Sequence, residues 1–159
     1  MTHIALREEN TIGYLLQHLA QMLQRQCDQM LQERLGIGIA QYRILTMLHM
    51  LPGAQQRKLA DCLGQTEASI SRQVKVLHDK GMLVAHVNPK ERREHIATLT
   101  ARGVKLCETA RDTLADYYQP MLSNFGEKQR QALIEMLHAF HEYTCQPGKS
   151  TACDHPLDI

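Results

Sequence analysis

Residues 65–99, QTEASISRQVKVLHDKGMLVAHVNPKERREHIATL, constrain the fold of this 159-residue chain more than any other stretch. Thr66 is placed to cap a helix, since a threonine hydroxyl accepts from a free amide of the first turn. Ile70, Val74 and Leu77 then recur on one face of a helix predicted over 67–80, and Gly81 ends it. Two short β-leaning segments follow at once, 83–87 and 95–99. The turn between them is marked by Asn88 and Pro89 and carries Lys90, Arg92 and Arg93.

Helices flank this module. Ile12, Leu15, Leu16, Leu19, Met22, Leu23, Cys27, Met30 and Leu31 repeat at helical spacing until Gly36 and Gly38. A second helix is expected over 40–51, closed by Pro52-Gly53, and a third over 56–63 with Leu59, Ala60 and Leu63 inside and Gly64 as its stop. Gln55 precedes that third helix where a better capping residue is common. Thr100 caps a long helix bearing Val104, Cys107, Leu114, Tyr117, Met121 and Leu122, which Pro120 either kinks or ends. After Gly126 a last helix shows Leu133, Met136, Leu137 and Phe140 on one face. The end of the chain, 146–159, has turn formers without periodicity and is expected to be a flexible tail.

The fold class expected is mainly α with a small β-wing, a winged helix-turn-helix lobe over about 36–100 between helices over about 8–35 and 101–145. The outer helices carry apolar stripes larger than the small central lobe can bury. A second copy of the chain would cover them across a two-fold axis; the alternative is that they pack on their own lobe in a monomer.

The net charge of +1 hides an uneven distribution. Between 57 and 105 there are ten basic and five acidic residues; 106–159 has four basic and eight acidic, and 1–56 four of each. Cationic character is thus concentrated on the module that a duplex would meet. No apolar run approaches the ~20 residues that span a bilayer, and the acidic N-terminus MTHIALREEN lacks the core of a secretion signal. No membrane association and a cytoplasmic location are expected. Five scattered cysteines do not form a disulfide framework. The chain has no phosphate-binding glycine loop, no nucleophile-base-acid spacing and no paired carboxylates, so an enzyme is not expected.

With Ile70, Val74 and Leu77 turned inward, Ala68, Ser69, Arg72, Gln73 and Lys75 fall on or near the exposed face of the 67–80 helix. Arg72 and Gln73 have the chemistry for bidentate base contacts, and Ser69 and Ser71 suit phosphate or short base contacts. At the hairpin tip, Lys90, Arg92 and Arg93 offer charge to a narrow minor groove. The partner expected is double-stranded DNA.

The chain resembles the MarR family of bacterial transcriptional regulators. IAQYRILTML (39–48) is similar to the family's Q-centred second helix. KLADCLGQTEASISRQVKVLHDKGML (58–83) matches its helix-turn-helix and Lys-Gly-hydrophobic exit, and NPKERREHIATLTARG (88–103) its wing with Leu-Thr-x-x-Gly. Asn88 and Glu91 stand where the family usually has Asp, and Glu67 puts an anion at the start of the fourth helix. The resemblance implies a homodimer on an inverted-repeat operator, more often a repressor, with Ala68, Ser69, Arg72 and Lys75 facing the groove. It also implies Arg93 in the minor groove and Arg92 bracing the loop or touching phosphate; sequence leaves those two roles exchangeable.

Members of the family commonly bind small aromatic or anionic effectors beside the dimer helices, which makes Met22, Tyr42, Arg43 and His49 the candidates here. The alternative is a regulator of the same scaffold that senses redox state or metal. Cys27 is the candidate thiol, although it falls on an apolar stripe. His138, His141, Glu142 and Cys145 are spaced as paired helix ligands, although too few converge to make a metal the expectation. No cofactor is expected.

Overall fold

The computed structural model describes residues 7–87 and 95–144. The chain divides into two compact units, Met1–Ile39 and Ala40–Ile159.

The first unit is α1 (Glu8–Leu35), which the apolar repeat predicts, with Glu8 and Glu9 at the positive end of its dipole. Its end is held by the Gly36 N–H donating to Gln32 O at 3.1 Å. Cys27, Met30 and Leu31 are buried, whereas Ile12, Leu15, Leu16, Leu19 and Met22 in the first half are exposed. The Asp28 carboxylate accepts from the Ile39 N–H at 2.8 Å, capping the helix that starts there.

The second unit holds α2 (Ile39–Met50 with its first residue in the preceding unit), β1 (Ala54–Gln55), α3 (Gln56–Leu63), α4 (Glu67–Asp79), β2 (Leu83–Val87), β3 (His95–Leu99), α5 (Ala101–Leu122) and α6 (Glu127–Thr144). The helices expected over 8–35, 40–51, 56–63 and 67–80 and both hairpin strands fall within a residue of these bounds. The sheet is antiparallel in the order β1-β3-β2. Leu83 pairs with Leu99 and Val87 with His95, so the ribbon closes toward its tip in unbroken register.

The strand β1 is not legible in the sequence, because two residues show no alternation. It forms because the Pro52-Gly53 turn delivers the chain to β3: the Gly53 N–H donates to Ala97 O at 3.2 Å, and Ala54 pairs with Ala97. The core comprises Ile44, Leu45 and Leu48 of α2, Leu59 and Ala60 of α3, and Ile70, Val74 and Leu77 of α4, with Leu83, Ala97, Cys107, Ala110 and Leu114.

Pro120 lies inside α5, which continues to Leu122 and so is not ended by it. The helix begins at Thr100, whose hydroxyl accepts from the Gly103 N–H at 3.1 Å and reaches Gly81 O at 2.8 Å; the Thr100 N–H donates to Met82 O at 3.0 Å. Gly81 itself takes φ +71°, a left-handed conformation that glycine adopts without the penalty of a Cβ. No residue of α6 is buried. Among the described residues, no helix is long and apolar enough to cross a membrane.

Candidate nucleic-acid interface

The helix-turn-helix is built by α3 and α4 around Gly64 and Gln65. Thr66 accepts from the Ser69 N–H at 3.2 Å, which satisfies one free first-turn donor and fixes where α4 begins. Ile70, Val74 and Leu77 are 0–3% exposed, so the rotation of α4 about its axis is set by its apolar face. That rotation turns Ala68, Ser71, Arg72 and Lys75 outward, all exposed.

Ser69 and Gln73 occupy a different position. Both are half-buried, on the shoulder between the outer and inner faces. The Ser69 hydroxyl donates to Gln65 Oε1 at 3.1 Å, and Gln73 Oε1 accepts from Gln41 Nε2 at 3.1 Å. Gln41 belongs to α2 and is buried, yet sequence analysis assigned it no role. The available signal was its place with Leu45 and Leu48 on the inner stripe of α2, where a polar side chain must find a partner.

Electrostatics on α4 are graded. Lys75 Nζ lies 3.0 Å from Asp79 Oδ2, one turn on, and both are exposed. Hydrogen bonds from Lys75 and then His78 hold the Asp79 carboxyl below its ordinary value of 3.8. The charge of Lys75 is therefore partly offset. Arg72 has no ion-pair partner among the described residues and presents an uncompensated guanidinium at the middle of the outer face. Glu67 is exposed in the first turn.

The hairpin that would carry the wing is present as β2 and β3, but Lys90, Arg92 and Arg93 lie outside the described residues. Of the predicted effector residues, Met22 is 37% exposed in the first unit. On α2, Arg43 and His49 are exposed, and Tyr42 is half-buried with its carbonyl accepting from the Thr46 hydroxyl at 3.1 Å. An open apolar depression of about 300 Å³ lies instead on α6, lined by Met136, Ala139, Phe140 and Tyr143.

Cys27, the candidate thiol, is 1% exposed. His138 and Glu142 are exposed and His141 half-buried, while Cys145 lies outside the described residues. Among the described residues, no three His, Cys, Asp or Glu side chains gather to hold a metal ion.

Residues 35–94 match the MarR family. An uncharacterized HTH-type transcriptional regulator of Bacillus subtilis (strain 168), YdgJ, is 26% identical over 102 residues, 64% of this chain and 62% of its own length. The chain thus spans about three-fifths of that relative. A MarR transcriptional regulator from Methanosarcina mazei Go1 has a similar structure, with a TM-score of 0.77, 25% identity and coverage of 85% of this chain and 96% of the other. The PcaV transcriptional regulator of Streptomyces coelicolor, solved in complex with its natural ligand, superposes with a TM-score of 0.66 at 21% identity, covering 80% of this chain and 92% of that one.

Proposed function

We propose that this chain, whose residues 35–94 match the MarR family, is a dimeric transcriptional repressor of an inverted-repeat operator, released by a small effector. The observation that carries the reading is the outer face of α4. It offers Ala68, Ser71, Arg72 and Lys75 to solvent on a helix whose opposite face is locked into the core. A helix so presented enters a major groove, where each base pair displays a distinct donor and acceptor pattern.

In this reading Arg72 makes the principal base contact and Lys75 a phosphate contact. Ser69 and Ser71 take short contacts, and Gln73 reads from the shoulder. Lys90, Arg92 and Arg93 extend the footprint from the wing, with Arg93 in the minor groove. Five or six basic side chains per protomer near phosphate make binding fall steeply with salt, since each neutralised phosphate releases counterion.

Dimerisation is supported by apolar side chains that stand exposed among the described residues: Ile12, Leu15 and Leu19 on α1, and Leu133, Ile134, Met136, Leu137 and Phe140 on α6, all more than one-third exposed. Isologous packing of these stripes would bury them and set two α4 helices about one helical turn of DNA apart. An effector for this chain is supported by PcaV, a regulator of similar fold solved in complex with its natural ligand. Tyr42, Arg43, His49 and Met22 are the residues assigned to contact it. The redox and metal alternative has less support, since Cys27 is enclosed and the histidines of α6 gather no third ligand among the described residues.

Selection of bound duplexes from a random pool tests the function. The expected result is an inverted repeat bound at least about a hundredfold better than scrambled fragments, with sedimentation showing a dimer. Equal affinity for scrambled DNA overturns it. Arg93→Ala is expected to weaken operator binding by a large factor and leave the dimer intact.

A further inference from the structure

Gln41 is the only polar side chain placed with the buried core among the described residues, 9% exposed. Its carboxamide is directed at the reading helix: Nε2 donates to Gln73 Oε1 at 3.1 Å across 32 positions of sequence. No other partner for the Gln73 carboxamide is found among the described residues, so its N–H2 remains unused.

Two facts make this bond more than a tie between helices. Gln73 is one residue beyond Arg72, about 100° round the helix, so its stem leaves α4 on the shoulder and its tip alone can reach a groove. A glutamine also has two chemically opposite ends, an acceptor oxygen and a donor nitrogen, which an untethered side chain can present to a base in either sense. Engaging the oxygen from within the protein removes that choice before DNA arrives, together with ordering that binding would otherwise have to supply.

We propose that Gln41 is a positioning residue for base reading: it fixes Gln73 by its oxygen, so that the carboxamide N–H2 is offered to the major groove and selects an acceptor edge, purine N7, guanine O6 or thymine O4. This rests on the DNA-reading function proposed above and adds the polarity of one contact and the residue that sets it. A core glutamine that only held α2 to α4 would affect stability and leave base preference untouched.

The experiment is selection from randomised duplexes with the full-length protein and four variants, read as base preference at each position. The wild type is expected to favour an acceptor-bearing base at one position per half-site by on the order of tenfold. Gln73→Ala and Gln41→Met should flatten that position alone. Gln41→Glu presents an acceptor where the donor was, turns Gln73 around, and moves the preference to a donor edge, cytosine N4 or adenine N6. Gln73→Glu keeps the bond to Gln41 but removes the donor, so it should move the preference the same way even if the buried variants fold poorly. The proposal is overturned if Gln41→Met and Gln41→Glu retain the wild-type preference while Gln73→Ala loses it, or if the Gln73 variants change no position. A wild-type protein that selects no sequence is a separate result, and removes the DNA-reading function itself.

Discussion

The Thr46 hydroxyl of α2 and the Cys107 sulfur of α5 face each other at 3.8 Å. Burial pushes the Cys107 thiol above its ordinary value of 9.0, against the smaller opposing effects of the Thr46 hydrogen bond and the Arg111 charge. A thiol held protonated is a poor nucleophile. Cys107 in the folded protein is therefore expected to resist iodoacetamide at neutral pH and to react once denaturant is added, as followed by mass spectrometry. The raised value also fixes a sign. The folded state holds this proton more tightly than the unfolded state, so the contribution to stability is complete below about pH 9 and is lost as pH rises through the folded value. Cys107→Ala should reduce the alkaline decline of the denaturation midpoint; an unchanged decline counts against this assignment.

Gly103 lies so close to the Met82 carbonyl that a Cβ on it would overlap the oxygen and carbon. The obstacle is backbone, which cannot rotate away as a side chain could. Gly103→Ala should therefore lower stability by at least about 1–3 kcal/mol, despite replacing a glycine in a helix by a better helix former. Urea denaturation checks it; a stabilised variant would mean the two segments can separate freely.

Lys75 and Asp79 are both well exposed, and such pairs add little to stability. Their effect should appear in binding. Asp79→Asn releases the ammonium and removes an anion from the outer face, so DNA affinity should rise and its salt dependence steepen by up to about one phosphate contact, with the melting temperature almost unchanged. Titrations at several salt concentrations test this. Weaker binding would place Lys75 away from the duplex.

The exposed apolar stripe of α6 yields a prediction about assembly. Leu137→Asp combined with Phe140→Asp places two charges where each native side chain is nearly half exposed in the single chain. Far-ultraviolet circular dichroism should be retained while light scattering reports a monomer, and operator affinity should fall by more than tenfold as the second half-site contact is lost. Persistence of the dimer would show that α6 is not its main contact.

Most of the architecture was legible because its signals are local. Thr66 and Thr100 act as the caps their positions suggest, and Gly36, Gly64 and Gly81 terminate helices where the apolar repeats stop. Two features were not. The strand Ala54–Gln55 exists only through its pairing with Ile96 and Ala97, more than forty residues away, and carries no periodicity of its own. The half-buried placement of Ser69 and Gln73 depends on Gln65 and Gln41, and no helical wheel of α4 alone reveals that a neighbouring helix holds one of its side chains. The exposed positions Ala68, Ser71, Arg72 and Lys75 needed only the apolar face opposite them to be found.

Thr100 joins two ends of the fold at a single residue, since it starts the 22-residue α5 and bonds to the carbonyls of Gly81 and Met82 that follow α4. A substitution at Thr100 would therefore loosen the beginning of α5 and the exit of α4 together, two places that share no other residue in this bonding.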